Sequence, residues 1–209
     1  MRHTGAVSTT YYTADLHFTH KMVAGLRGFN SPEEHDEAVI ATWNATISRE
    51  DVVWLLGDVG MGKPERFWPL VERLNGTIHL IAGNHDAVWP GHRDAHKHQR
   101  AWLEAFASVQ CYARRRLAGH DVLLSHFPYG GDHSETDRYP QYRLRDEGLW
   151  LLHGHTHSRA RLSTGRQVHV GLDAWELKPV PQHEIERLIA ADGAWREMVA
   201  LGEELRESA

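Results

Sequence analysis

Asp15-Leu16-His17 and His155-Thr156-His157 share one spacing, two polar side chains separated by a single residue. In extended backbone, alternate side chains project to the same side, so both members of each pair point one way. Between these pairs lie Asp58, the triplet Asn84-His85-Asp86 and a lone His126. Carboxylates, imidazoles and an amide oxygen without thiolates suit Mn, Fe or Zn rather than a soft structural zinc centre. The chain carries 17 histidines and a single cysteine, Cys111, so an internal disulfide and a thiolate cluster are both excluded. Imidazole is the commonest metal ligand, which makes metal chemistry the first expectation. Taken singly, Asp15, Asp58 and Asp86 read as turn or cap residues. Their joint occurrence with the histidines overturns that reading.

Such residues need a common edge on which to converge. Thr9–Thr13, Asp51–Leu56, Thr77–Ala82, Asp121–Ser125, Leu149–His153 and Gln167–Val170 are short apolar runs stopped by Gly or a polar residue. That is the pattern of short buried strands. Ser31, Pro32 and Glu34 form an N-cap, first-turn proline and capping box, and Ala38, Ile40, Ala41, Trp43 and Ile47 give the following helix an apolar face. Further helices are expected near Pro64–Leu74, with a break at Pro69, and over Lys97–Phe106, Gln182–Ala190 and Ala194–Arg206. Strand–helix alternation followed by a strand-rich second half predicts an α/β sheet sandwich with helices outside. Ligand sites in α/β sheets are built on the loops at one edge, where these polar residues fall.

The 209 residues are 41% hydrophobic and 24% charged, without repeat or linker, which predicts one domain over residues 1–209. A net charge of −5 argues against binding long nucleic acid. No apolar run approaches the ~18 residues of a membrane helix, and the N-terminus lacks the apolar stretch of a secretory signal. A cytoplasmic protein that avoids membranes is expected, and its oligomeric state stays open.

Five blocks occur in order: Asp15-Leu16-His17, Gly57-Asp58, Gly83-Asn84-His85-Asp86, His126 and Gly154-His155-Thr156-His157. On these blocks the sequence resembles the calcineurin-like metallophosphoesterases over roughly positions 9 to 175. Thr13-Ala14-Asp15-Leu16-His17-Phe18 and Val170-Gly171-Leu172-Asp173-Ala174-Trp175 look most like the small bacterial and phage-type members. The resemblance implies a four-layer α/β/β/α sandwich of the metallophosphoesterase type. It implies two divalent ions, Mn²⁺ ahead of Fe, Zn, Ni or Co. Asp15, His17 and His157 would hold the first, Asn84, His126 and His155 the second, and Asp58 would bridge them. It further implies a phosphoester hydrolase acting through a metal-bridging hydroxide. Paired ions roughly 3.5–4 Å apart can clamp the phosphoryl oxygens of an in-line displacement. His85 is the implied general acid, and Asp86 beside it would orient the ring and favour its protonated form.

Pro128–Gly148 leaves from His126, returns before His155 and shows no clear periodicity, so it is the expected substrate-selecting segment. Within it Tyr129, Tyr139 and Tyr142 could stack on a base, and Arg138, Arg143 or Arg145 could meet a phosphate, with Tyr139 and Arg143 the leading candidates. His20, three residues beyond His17, is a third candidate substrate contact. His153 is expected in the core and His169 at the edge of the site. Arg114-Arg115-Arg116 reads as a solvated strand edge, His92, His96 and His98 as a solvated loop, and Cys111 as buried and inert. The leading reading is a phosphodiesterase for a small phosphoester or cyclic nucleotide, with 2′,3′-cyclic nucleotides favoured. The alternatives are a phosphomonoesterase, a nucleotide pyrophosphohydrolase, or a non-catalytic protein-binding scaffold of the same fold.

Overall fold

The computed structural model describes residues 8–191 except 133, 135 and 164. The expected Ala194–Arg206 helix lies outside the described residues. β-Branched and aromatic side chains make β1 (Thr10–Thr13), β2 (Val52–Leu55), β3 (Thr77–Ile81) and β4 (Ser108–Gln110), all parallel and adjacent in that order. A second sheet holds β5 (Tyr112–Leu117), β6 (His120–Ser125), β7 (Trp150–His153), β8 (Leu162–Ser163) and β9 (Gln167–His169), in the order β5-β6-β7-β9-β8. A last strand, β10 (Val180–Pro181), returns to the first sheet antiparallel to β1. This is the expected mixed α/β architecture with two sheets.

Alternation along β2 decides the layering. Val53 and Leu55 face a core that also holds Val39, Trp43 and Trp102 of the helices. Trp54 faces the opposite way, into a second core with Val122, Leu124, Leu152 and Val168 of the other sheet. Gln167 and His169 point away from that second core by the same alternation. Tyr129 donates its N–H to Gln167 Oε1 at 2.7 Å, which ties the long 128–148 segment to that outer face.

Four α-helices have defined bounds: α1 (Lys21–Leu26), α2 (Pro32–Thr46), α3 (Trp68–Val71) and α4 (Gln99–Ala105). Residues 182–191 are helical too, with Ile185 and Ile189 buried. At the start of α2, Ser31 Oγ accepts from Glu34 N–H at 3.1 Å, while the Glu34 carboxylate accepts from Asn30 N–H at 2.9 Å. The reciprocal half of the box is therefore made one residue earlier than expected. The buried face of α2 is His35, Asp36, Val39, Ile40 and Trp43, whereas Ala41 is exposed. Two polar residues on a buried face break the hydrophobic pattern, and their use is at the site. The Pro64–Leu74 region divides into a 3₁₀ turn at Pro64–Arg66 and the short α3, with Pro69 in its first turn, where a missing N–H is tolerated. α1 is short and capped by an imidazole, which hid it from pattern reading.

Among the described residues β5 pairs only with β6. Arg114 and Arg116 lie 3.8 and 3.5 Å from Asp121 on its solvent side, while Arg115 crosses the Trp54 ring at 5.6 Å. Cys111 is exposed, contrary to expectation, because it lies between two short strands at the sheet edge. Among the described residues, no helix is long and apolar enough to cross a membrane.

Candidate metal centre

Parallel registration brings the ends of β1, β2 and β3 to one edge, with Thr13 opposite Leu55 and Leu55 opposite Leu80. A parallel bridge from Ala14 to Gly171 joins the second sheet to that edge. The chain then leaves β1, β2 and β7 through left-handed residues: Asp15 (φ 62°), His17 (φ 52°), Asp58 (φ 56°), His155 (φ 69°) and His157 (φ 51°). Each costs roughly 1–2 kcal/mol for an L side chain and must be held by its surroundings. Asp15 N–H donates to Gly57 O at 3.0 Å, His17 N–H to Asp58 O at 2.9 Å, and Phe18 N–H to Val59 O at 3.0 Å. His155 N–H donates to both carboxylate oxygens of Asp15 at 3.1 Å. Gly57 and Gly83 let two turns touch. A Cβ on Gly57, where φ is +86°, would meet Gly83 N at 2.5 Å, and one on Gly83 would meet Asp58 Oδ1 at 2.3 Å.

Asp86 joins these turns from within. Its buried carboxylate accepts from Gly83 N–H at 2.8 Å, Asp58 N–H at 3.0 Å and Val59 N–H at 2.9 Å. The expectation that Asp86 orients the His85 ring is therefore corrected. Its acceptor sites are committed to the backbone, and its effect is to position Asp58.

Asp58 Oδ2 stands 3.6 Å from His17 Nε2, 3.5 Å from His126 Nε2 and 3.9 Å from His85 Nε2. Its other oxygen accepts from His85 N–H at 2.9 Å. His17 Nε2 and His157 Nε2 are 3.2 Å apart, and Asn84 Oδ1 is 3.1 Å from His126 Nε2. Three trios of donor atoms each fall within 4.8 Å: Asp15–His17–His157, Asp15–Asp58–His126 and His17–Asp58–His85. Second hydrogen bonds set the tautomers. His126 Nδ1 lies 2.8 Å from Leu56 O, and His157 Nδ1 lies 2.9 Å from Asp173 Oδ2. Both partners are acceptors, so Nδ1 carries the proton and Nε2 turns its lone pair inward. His17 Nδ1 is buried without a hydrogen-bond partner among the described residues. Converging imidazole lone pairs beside carboxylates suit a divalent cation, so the donor set fits the implied metal.

The protonation states agree. Burial pushes the His155 imidazole down to about 3, and His126 adds to it. Burial, then His126, His20 and His157, push His85 down to about 4. His17 is held well below the ordinary histidine value by burial and by His157. These rings are neutral at pH 7, the form that ligates. Burial raises Asp15 to about 6, and Asp58 and Asp86 also move upward for the same reason. A nearby divalent charge would reverse that shift.

Behind the donors lies a polar chain that the sequence did not reveal. Asp173 accepts from His157 and also from Arg27 Nε at 2.9 Å and Arg27 Nη2 at 2.8 Å. Arg27 donates onward to Asp15 O at 2.8 Å and Leu16 O at 3.3 Å, and its Nη1 lies 3.0 Å from His35 Nε2. His35 Nδ1 meets Asp36 Oδ1 at 2.9 Å, and Asp36 Oδ2 accepts from Thr19 N–H at 2.9 Å. Burial lowers the His157 pKa, but the Asp173 hydrogen bond and the charge of Asp15 outweigh it, so the net shift is upward. Asp173 is held far below the usual carboxylate range because Arg27 and His157 overcome its burial. On the other side Asp132 lies 3.1 Å from His155 Nε2 and accepts from Arg138 Nη2 at 2.9 Å. Of the supporting residues Arg27, His35, Asp36, Asp132 and Asp173, Asp173 alone stood inside a recognisable motif.

The expected substrate contacts divide. His20 is at the site, its ring 5.1 Å from that of His17 and 6.0 Å from that of His85. Its Nδ1 accepts from Val23 N–H at 3.3 Å, which leaves the proton on Nε2. Tyr139 packs edge-on against Trp89 at 5.1 Å and beside Phe127 at 5.6 Å, and its half-buried ring lies 6.3 Å from that of His155, so it leans on the core at the rim of the site. The Arg143 side chain is 3% exposed and donates to Pro128 O, Gly131 O, Arg138 O and Asp137. It fastens the loop and does not reach out to substrate. His169 lies 3.9 Å from Asp15 Oδ2, at the site's edge. His153 is a core residue, with Nδ1 2.8 Å from Gly154 O. His92 Nε2 lies 3.0 Å from Asn84 O, a contact not expected of a solvated loop.

A family model described as the calcineurin-like phosphoesterase superfamily domain matches residues 13–172. The Gene 66 protein of Mycobacterium phage L5 is 43% identical over 183 residues, 81% of this chain and 88% of that protein. The Gene 66 protein of Mycobacterium phage D29 is 44% identical over 194 residues, 88% of this chain and 96% of that protein. A solved structure of a protein of unknown function from Aquifex aeolicus superposes with a TM-score of 0.65 at 22% identity. It covers 87% of this chain and 99% of that one, a likeness of fold alone.

Proposed function

The chain belongs to the calcineurin-like phosphoesterase superfamily, and on that premise we propose that it hydrolyses small phosphodiesters with two divalent ions. Asp15, His17 and His157 would hold one ion, Asn84, His126 and His155 the other, and Asp58 would serve both. The supporting observation is Asp58 Oδ2, 3.6 Å from an imidazole of the first set and 3.5 Å from one of the second. Mn²⁺ is the leading ion because carboxylate and amide oxygens share the site with imidazoles, and Fe, Zn, Ni or Co are the competitors. When bound, the ions would supply Lewis acidity toward the phosphoryl oxygens and an activated water.

The chain's own residues do the rest. His85 is a third exposed at the mouth of the site and can donate to a phosphoryl or leaving-group oxygen. Its low pKa keeps it neutral in the free protein, and the negative charge of a bound phosphoester favours its proton. His20 presents Nε2–H as a second donor. Asp86 and Asp173 position donor residues and do not touch substrate. With Tyr139 leaning on Trp89 and Phe127, the preference for a 2′,3′-cyclic nucleotide rests on ring strain and its leaving group.

The test begins with metal analysis of the purified protein. Phosphomonoesters, phosphodiesters and cyclic nucleotides are then assayed in Mn²⁺. Two ions per chain and diester preference are expected, and Asp58→Asn should lose both ions together with turnover. Near-normal turnover with both ions retained in Asp58→Asn overturns the shared-ligand assignment. A monoester preference overturns the diester reading. A fully loaded protein that hydrolyses nothing points to the scaffold class.

A further inference from the structure

A cavity of about 460 Å³ opens beside His157, between α1 and the turn at residues 172–177. That volume lies within the roughly 300–1,000 Å³ range of small-molecule sites. His157 lines one part of it, so the cavity adjoins the proposed metal centre through that one residue. Val23 and Leu26 form one wall, and Leu172 and Leu177 form the other. Leu26 is 73% exposed despite being apolar. Glu176 (φ 54°) and Leu177 (φ 63°) are successive non-glycine residues in left-handed backbone, and Leu177 N–H holds Leu172 O at 3.1 Å. Backbone strain of this kind clusters at ligand sites when the surroundings enforce it.

The charges around the cavity are nearly all spoken for. Arg27 and Asp173 bond to each other, and Glu176 lies 3.7 Å from Lys178. Arg159 also lines the cavity, is exposed, and has neither hydrogen bond nor ion pair among the described residues. The result is a slot with apolar walls at Val23, Leu26, Leu172 and Leu177, a charged remainder of Arg27, Asp173 and Glu176, the proposed ligand His157 along it, and one guanidinium, Arg159, without a partner among the described residues. Guanidinium groups recognise carboxylate and phosphate by paired N–H donors.

We infer that this cavity receives the organic arm of the phosphoester, and that the arm is apolar and ends in an anionic group met by Arg159. The inference rests on the phosphoesterase reading and narrows it to esters carrying a second negative charge beyond a short apolar spacer. It also places substrate selection at Arg159 and the 172–177 turn, where the sequence pointed to the 128–148 loop.

The test is calorimetric binding to the Mn²⁺-loaded protein. The probes are alkylphosphonic acids, ω-phosphonoalkanoic acids and α,ω-alkanediphosphonic acids of three to eight carbons. At one chain length a terminal anion should tighten binding by roughly tenfold or more, what one charge-assisted hydrogen bond is worth. The two anionic series separate a carboxylate from a phosphate terminus. Arg159→Glu should abolish the gain, and Leu26→Glu should weaken every longer probe. Both positions are exposed, and circular dichroism verifies the fold of each variant. No gain at any length, or a gain that survives Arg159→Glu, overturns the inference. Hydrolysis of simple diesters without that gain sinks the cavity assignment alone. Binding with the gain but no hydrolysis of any ester sinks the phosphoesterase reading alone.

Discussion

Replacing Asp173 with asparagine should weaken one metal site and spare the other. Asp173 accepts three charge-assisted hydrogen bonds, from Arg27 Nε and Nη2 and from His157 Nδ1. An asparagine oxygen can keep at most the two made by Oδ2, and the amide nitrogen then faces a donor. The negative charge is lost in either rotamer. The Arg27 side chain is 5% exposed and would remain charged without its anion. Breaking one side of such a buried pair costs about 3–5 kcal/mol, so the metal-free protein should lose stability of that order. His157 also loses the anion that raises its basicity. Removing a ligand's supporting partner typically lowers metal affinity about 10–100-fold, or about 1.4–2.7 kcal/mol at 1.36 kcal/mol per tenfold. The Asn84–His126–His155 set has a separate support in Asp132, 3.1 Å from His155. Titration of Mn²⁺ by calorimetry should therefore show one of two sites weakened, and a urea titration in EDTA should show the stability loss. Equal weakening of both sites, or none, refutes the argument that Asp173 acts through His157.

His85→Ala should retain both ions and lose about 10²–10⁴-fold in turnover, more for alkoxide than for p-nitrophenolate leaving groups; loss of metal would make His85 a ligand instead. Arg143→Ala removes bonds to three carbonyls and Asp137, so turnover of a small activated diester and a cyclic nucleotide should fall together. A selective loss for the nucleotide would restore Arg143 as a substrate contact. His153 is buried and its pKa is pushed down to about 3 by burial and by His169. The unfolded chain takes up a proton that the folded one refuses, so this contribution is complete above about pH 6.5 and is lost as pH falls toward 3. In EDTA the urea midpoint should decline from pH 6.5 to 4. The difference from His153→Gln isolates the effect from Asp15, whose pKa, raised to about 6, acts in the opposite sense. Identical pH profiles for the two proteins refute it.

The donor residues were legible in the sequence because their signals are local. A short β-branched run stopped by Gly and a polar residue marks both a strand and its end; the extended alternation expected of Asp15-Leu16-His17 does not hold, because Asp15 and His17 are left-handed and converge through the turn instead. Parallel pairing then brings such ends to one edge without further information. Direction and partnership across distant segments carry no local signal. Arg27 and Asp173 are 146 residues apart, and nothing in either neighbourhood announces the other. His35 and Asp36 resemble ordinary polar residues in the first turns of a helix, yet packing turns them inward beneath Thr19 and Arg27. Asp86 sits beside His85 in sequence, but three amide groups from two turns claim its carboxylate. In the long loop, composition supplied tyrosines and arginines without their orientation. Trp89 and Phe127 draw the Tyr139 ring against the core, and loop carbonyls surround Arg143. Sequence spacing determines where an element ends and which side chains can share a face. Which of those side chains meets metal, backbone or solvent depends on segments that become neighbours only when the sheets close on one another.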